Sequence, residues 1–189
     1  MLDYTLFGES HGPVVGVLLR HVPAGVPIDE LQMERDLLRR RPSGALATAR
    51  QEPDEVQFLS GVFQGRTTGM PLVMALPNRD ARPQDYEALR SVARPGHADY
   101  TARIKAKGFQ DYRGGGHFSG RLTAPLCVAG GIAMQLLEEE NIRIVSHIAS
   151  IAGIADDGIF PASTLGKPFP TLSEARGEEM LAAIAKARA

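Results

Sequence analysis

Apolar residues in this chain fall into short runs separated by clusters of Gly, Pro and charge. One run covers 14–19, led by Pro13, and two more cover 56–63 and 71–76 on either side of Arg66-Thr67-Thr68-Gly69. Runs of this length between turn formers predict strands, the last two as a hairpin. Asp29 followed three residues later by Gln32 has the form of a capping box, with Ile28 and Met33 placed as its hydrophobic staple. A helix is therefore predicted over 30–40, stopped because Pro42 cannot continue it and disfavours helical geometry at Arg41. Leu122, Leu126, Ala129, Ile132, Ala133, Leu136 and Leu137 recur at helical spacing and predict a second, largely buried helix with Pro125 in its first turn. Gly130 and Gly131 each cost that helix about 1 kcal/mol relative to Ala, which predicts another backbone packed close to them. Alternation over 143–154 predicts a further strand, and 173–189 a last helix.

Composition narrows the class. With 189 residues, 43% of them apolar and 23% charged, the chain is expected to form a single soluble domain over 1–189. Lys and Arg number 21 against 22 Asp and Glu, so no overall basic field points to nucleic acid and any charged-ligand site must be local. The single Cys127 excludes an intramolecular disulfide and a thiolate metal cluster, which makes the cytoplasm the expected compartment. The longest apolar stretch, 124–137, is shorter than the ~20 residues a bilayer needs and contains Pro125, Gly130 and Gly131, so no membrane partner is expected.

Three polar clusters carry the candidate chemistry. Gly8-Glu9-Ser10-His11-Gly12 matches the G-x-S-x-G elbow of serine hydrolases, but that elbow needs a helix after it, and here Pro13 and a predicted strand follow. Arg94-Pro95-Gly96-His97-Ala98-Asp99 sets a cation and an imidazole on a rigid turn, suited to general acid work. The five His show no i, i+4 pair and no Cys partner at zinc-ligand spacing, so no metal is expected. In the third cluster, 113–121, the stretch from Gly115 to Leu122 misses the phosphate-binding P-loop because Arg121 and Leu122 replace its Lys and its Ser or Thr. A Gly-rich loop running into a helix still offers amides to an anion. Arg39-Arg40-Arg41 adds guanidinium groups that grip phosphate or carboxylate with two parallel hydrogen bonds, so a small polyanion is the predicted ligand.

The ordered set FGESHG at 7–12, RRRP at 39–42, EPD at 52–54, LSGVFQGRTTG at 59–69, RPGHADYT at 94–101 and DYRGGGHFSGR at 111–121 resembles the chorismate synthase family over essentially the whole chain. The chain corresponds to about the first half of that family's length, so a short leading segment and the flavin-binding half beyond Ala189 would be absent. The resemblance implies an α+β fold, an incomplete β-α-β sandwich with a helical layer between antiparallel sheets, assembling as a homotetramer. It implies anti-1,4-elimination of phosphate from 5-enolpyruvylshikimate-3-phosphate to give chorismate, the last common step of the shikimate pathway, with reduced FMN and, in some members, NADPH. His11 would protonate the leaving phosphate and His97 the reduced flavin. Ser10, Arg39, Arg40, Arg94 and Arg121 would hold substrate or NADPH, while His117, Phe118 and Ser119 would line the FMN. The family often carries Arg where this chain has His117, and another near Ala45-Leu46. A chain that folds and associates without turnover is the alternative reading.

Overall fold

The computed structural model describes residues 1–42, 50–159, 164 and 166–188. Ala45-Leu46 lies outside them. The chain divides into two compact units, 1–140 and 141–189.

The first unit is built on a four-stranded antiparallel sheet of β1 (Asp3–Gly8), β2 (Val14–Arg20), β3 (Gln57–Ser60) and β6 (Leu72–Pro77), in the order β1-β2-β6-β3. Period-two patterning sends Val15, Val17 and Leu19 of β2 to one face, where they sit directly opposite Leu76, Met74 and Leu72 of β6. All six are at most 3% exposed. On the other face the bare backbone of Gly16 is covered by the ring of its cross-strand partner Phe7.

Two helices close the core. The helix α1 (Glu30–Arg40) begins where predicted: Asp29 accepts the Gln32 backbone N–H at 2.9 Å. The reciprocal half of the capping box is absent, because Gln32 turns to Asp36 and the Asp29 N–H goes instead to Gln135 Oε1 at 3.0 Å. Gln135 belongs to α3 (Thr123–Glu139), so the cap of one helix is completed by the other. Met33 and Leu37 of α1 share one buried cluster with Val128, Ala129 and Ile132 of α3 and with the inner face of the sheet. The close backbone predicted at Gly130-Gly131 is not found among the described residues. A Cβ on Gly131 would meet the Met33 side chain at 3.4 Å, and one on exposed Gly130 would meet nothing within 4 Å. Together with the 3₁₀ turn before it, α3 is long and apolar enough to cross a membrane. Its burial of Ala124, Pro125, Val128, Ala129, Gly131 and Ile132 is that of a core helix.

Three local expectations change. The strand predicted over 56–63 breaks at Gly61 into β3 and a two-residue β4 (Val62–Phe63), and the turn placed at 66–69 falls instead at Gln64-Gly65. Both of those residues have positive φ, as a type I′ hairpin turn requires, which frees Arg66 and Thr67 to form β5 (Arg66–Thr67). The Thr67 hydroxyl is thereby buried, donating to Pro23 O at 2.5 Å and accepting from Val26 N at 3.0 Å. A short helix α2 (Asp99–Lys105) follows the Arg94–Asp99 turn and was not foreseen.

In the second unit, only β7 (Ser150–Ile151) and β8 (Ile154–Ala155) form from the alternating stretch 143–154. They pair with each other across Ala152-Gly153, and residues 143–149 have no ladder to join among the described residues. The helix α4 (Glu174–Arg188) forms as predicted. Asp156 ties its entry, accepting from Leu172 N and Ser173 N. These contacts, with that from His147, hold the Asp156 carboxyl at about 2, overriding its desolvation.

Candidate functional site

The connection from β1 to β2 carries Ser10 and His11, so two strands flank the Gly-x-Ser-x-Gly pattern, as the exclusion of a hydrolase elbow requires. Three contacts shape this loop. Asn78, just past β6, donates from Nδ2 to Glu9 O at 3.1 Å and to Gly12 O at 2.9 Å. Ser10 N donates to Gly116 O at 3.1 Å, joining the loop to the glycine-rich segment. Gly114 then lies against the His11 ring, where a Cβ would fall 2.3 Å from Cδ2 and 2.5 Å from Nε2. With φ at +61°, Gly114 is required both by its backbone conformation and by this approach.

A cavity of about 570 Å³ opens here, its walls including Ser10, His11, Arg40, Arg50, Ser119 and Arg121. Arg121 is the most enclosed cation, with 4% of its side chain exposed. Its Nε donates to Asn78 Oδ1 at 2.9 Å and its Nη1 pairs with the fully buried carboxylate of Asp54, while Nη2 is buried without a partner. Asp54 is shared with Arg40 at 3.5 Å and Arg41 at 3.9 Å, so one carboxylate faces three guanidinium groups. Arg50 reaches Ser10 Oγ at 3.1 Å and Ser10 O at 2.9 Å, and is held by Glu52 at 2.6 Å. The cavity also carries the carboxylates of Glu52, Asp80 and Asp85: Glu52 pairs with Arg50 and accepts the N–H groups of Arg79 and Asp80, and Asp80 pairs with Arg82 at 3.3 Å.

His11 is 8% exposed. Burial, and after it the Arg50 and Arg113 cations, push its imidazole below the ordinary value; Asp111 and Asp85 pull the other way more weakly. Its ring centroid lies 4.7 Å from that of Tyr86, and the Arg94 guanidinium sits over the same Tyr86 ring, 6.0 Å from its centroid.

The cavity thus gathers Ser10, His11, Arg40, Ser119 and Arg121 from three separated stretches of sequence. Arg94 stands one aromatic ring away, fixed by Asp99 through Nε at 2.8 Å and Nη2 at 2.9 Å. Arg39 is half-exposed at 3.7 Å from Asp36, and His97 is exposed on the turn before α2; neither lines the cavity. His117 holds Gly8 O through Nδ1 at 3.0 Å and meets the Phe118 ring edge-on at 6.1 Å, with both side chains exposed beside Ser119. Reading the sequence gave no role to Arg50, Glu52, Asp54 or Asn78, although Glu52 and Asp54 stand in the EPD motif. The first three stand in a short Arg-x-Glu-x-Asp alternation, which was a visible signal; Asn78, a lone amide after a strand, offered none.

The sequence profile of the chorismate synthase family matches residues 2–189. A chorismate synthase from Thermococcus kodakarensis is 44% identical over 189 residues, covering 100% of this chain and 53% of the relative. One from Aeropyrum pernix is 51% identical over 150 residues, covering 79% of this chain and 40% of the relative. The fold also matches a crystal structure of chorismate synthase with a TM-score of 0.70 at 24% identity, over 99% of this chain and 53% of the other. The chain spans about half the length of these relatives.

Proposed function

This chain belongs to the chorismate synthase family, and from that premise we propose that its cavity receives 5-enolpyruvylshikimate-3-phosphate for the 1,4-elimination of phosphate and a ring proton that yields chorismate. One observation carries the reading: the buried Nη2 of Arg121 has no partner in a cavity that also presents His11, Arg40 and Arg50. A buried guanidinium donor without an acceptor is costly, and a phosphate or carboxylate oxygen would satisfy it.

Expelling an allylic phosphate requires fixed cations around the departing dianion and a hydrogen donor at the leaving oxygen. Arg40, Arg50 and Arg121 would bind the anionic groups, Ser10 would orient them, and His11 would serve the leaving oxygen. Reduced FMN, when bound, supplies an electron-rich ring beside the electron-poor allylic system. The exposed Phe118 ring with His117 at its edge fits such a planar group, since it offers a stacking surface next to the cavity wall at Ser119. His97 and Arg39 are assigned to the flavin and to NADPH or substrate by resemblance alone.

Because the chain covers 53% of a relative's length, binding without turnover is the second reading. Anaerobic incubation of the chain with 5-enolpyruvylshikimate-3-phosphate and reduced FMN, followed for chorismate and paired with calorimetric titration of the substrate, separates the readings. Chorismate formation establishes the activity. Binding that is weakened at least tenfold by Arg121→Met, with no chorismate, selects the second reading; neither binding nor turnover overturns both.

A further inference from the structure

The backbone N–H of Arg82 points at His11 Nδ1, 3.1 Å away. A backbone N–H can only donate, so Nδ1 must accept, and a neutral imidazole that accepts at Nδ1 carries its hydrogen on Nε2. What brings Arg82 to this place is a chain of contacts beginning at Glu52, which is 6% exposed. Its Oε2 takes Arg79 N at 2.8 Å and its Oε1 takes Asp80 N at 3.2 Å, together with Nε and Nη2 of Arg50. Asp80 in turn accepts Gln51 N at 3.1 Å and Arg82 Nε at 3.3 Å. One carboxylate thus pins the turn two residues before the N–H that meets the imidazole.

We propose that Glu52 is a positioning residue: through the 79–82 turn it holds His11 as the Nε2–H tautomer, leaving Nε2–H as the ring's single hydrogen donor. The proposal rests on the reading of His11 as the group that serves the leaving phosphate. Its chemical consequence is that His11 meets a phosphate oxygen as a hydrogen-bond donor while still neutral. To become an imidazolium it must take a proton at Nδ1, where the Arg82 N–H would then oppose another donor. Full proton delivery therefore requires the turn to release Nδ1. The other groups facing the ring are Arg50, Arg113, Asp111, Asp85, the Tyr86 ring and the Gly114 backbone. The Arg82 N–H is the group in hydrogen-bond contact with one ring nitrogen, and so it biases the tautomer ratio directly.

Nitrogen-15 NMR of the histidine side chains in the 189-residue chain reads that ratio directly. In the unsubstituted protein above neutral pH, His11 is expected as Nε2–H; a ring protonated on Nδ1 overturns the proposal with no variant needed. Glu52→Gln keeps the shape but cannot accept from both backbone amides and Arg50 at once. The Nδ1–H population of His11 should rise about tenfold, the equivalent of one ordinary hydrogen bond, while His97 and His117 stay unchanged. Glu52→Asp retains the charge beside Arg50 but shortens the reach to Arg79 and Asp80, so it should shift the ratio in the same direction and decides the question if Glu52→Gln does not fold. A folded variant with the parent tautomer ratio would overturn the assignment. These spectra are taken without ligand, so their failure leaves the phosphate reading standing. Conversely, His11 signals that ignore added 5-enolpyruvylshikimate-3-phosphate refute that reading and leave the tautomer result intact.

Discussion

Asp54 shows how much a single residue can bear. It is fully buried, adopts a positive φ of 51°, and answers Arg40, Arg41 and Arg121 at once. Removing one member of a buried ion pair leaves the others uncompensated, which costs about 3–5 kcal/mol. Asp54→Asn should therefore lower the unfolding free energy by that order in urea titrations, and a loss below about 1 kcal/mol would show that the arginines are solvated in some other way. Asp99 makes a milder case. Its hydrogen bonds from the Arg94 side chain, opposed by desolvation and joined by one from the Arg94 backbone, hold its carboxyl at about 2. Because the folded value lies below the ordinary one of 3.8, the pair stabilises the fold above about pH 4 and ceases to do so as pH falls toward 2. The melting-temperature gap between the parent chain and Asp99→Asn should close over that interval. A gap that stays constant from pH 7 to 2 would remove the pair from the stability account.

At the scale of elements, α3 departs most from the expectation drawn for it. Its two glycines suggested a backbone neighbour, yet Gly130 faces open space and Gly131 faces a flexible methionine. The propensity argument then works alone: Gly130→Ala should raise stability by about 0.5–1 kcal/mol, since Ala loses less backbone entropy on entering a helix. Gly131→Ala should gain less, because its methyl comes within 3.4 Å of Met33. Guanidinium denaturation of both variants tests the order, and a destabilising Gly130→Ala would mean that this surface of α3 is covered in solution. The start of α1 was legible because a cap is a local device, written in Asp29, whose side chain accepts a backbone N–H three residues on. That Gln135 completes it was not, because 106 residues separate donor and acceptor.

At the scale of the molecule, all the buried residues of the main hydrophobic cluster lie between Val15 and Ile132, inside the first unit. A fragment of residues 1–140 should therefore keep a cooperative unfolding transition and protected amides in β2 and β6. Loss of cooperativity with strong binding of a hydrophobic dye would show that the second unit is needed to complete the first.

What the sequence determined by itself is whatever short-range physics can write. Period-two runs made β2 and β6, helical periodicity and caps made α1, α3 and α4, and ordered motifs resembled one family. The expectation of an anionic ligand could also be drawn, because arginine clusters and a glycine-rich loop are local features. Tertiary structure decided which of these cations act together: it drew Arg40, Arg50 and Arg121 to one cavity and left Arg39 half in solvent. It also gave Gln64-Gly65 the turn expected at 66–69, and left 143–149 without a strand, since a ladder needs a partner and alternation only makes a segment ready for one. The state of His11 belongs to this second kind. Its ring is written at position 11, but the hydrogen it can give is chosen by a backbone amide 71 residues away, a relation that appears only once the chain has folded.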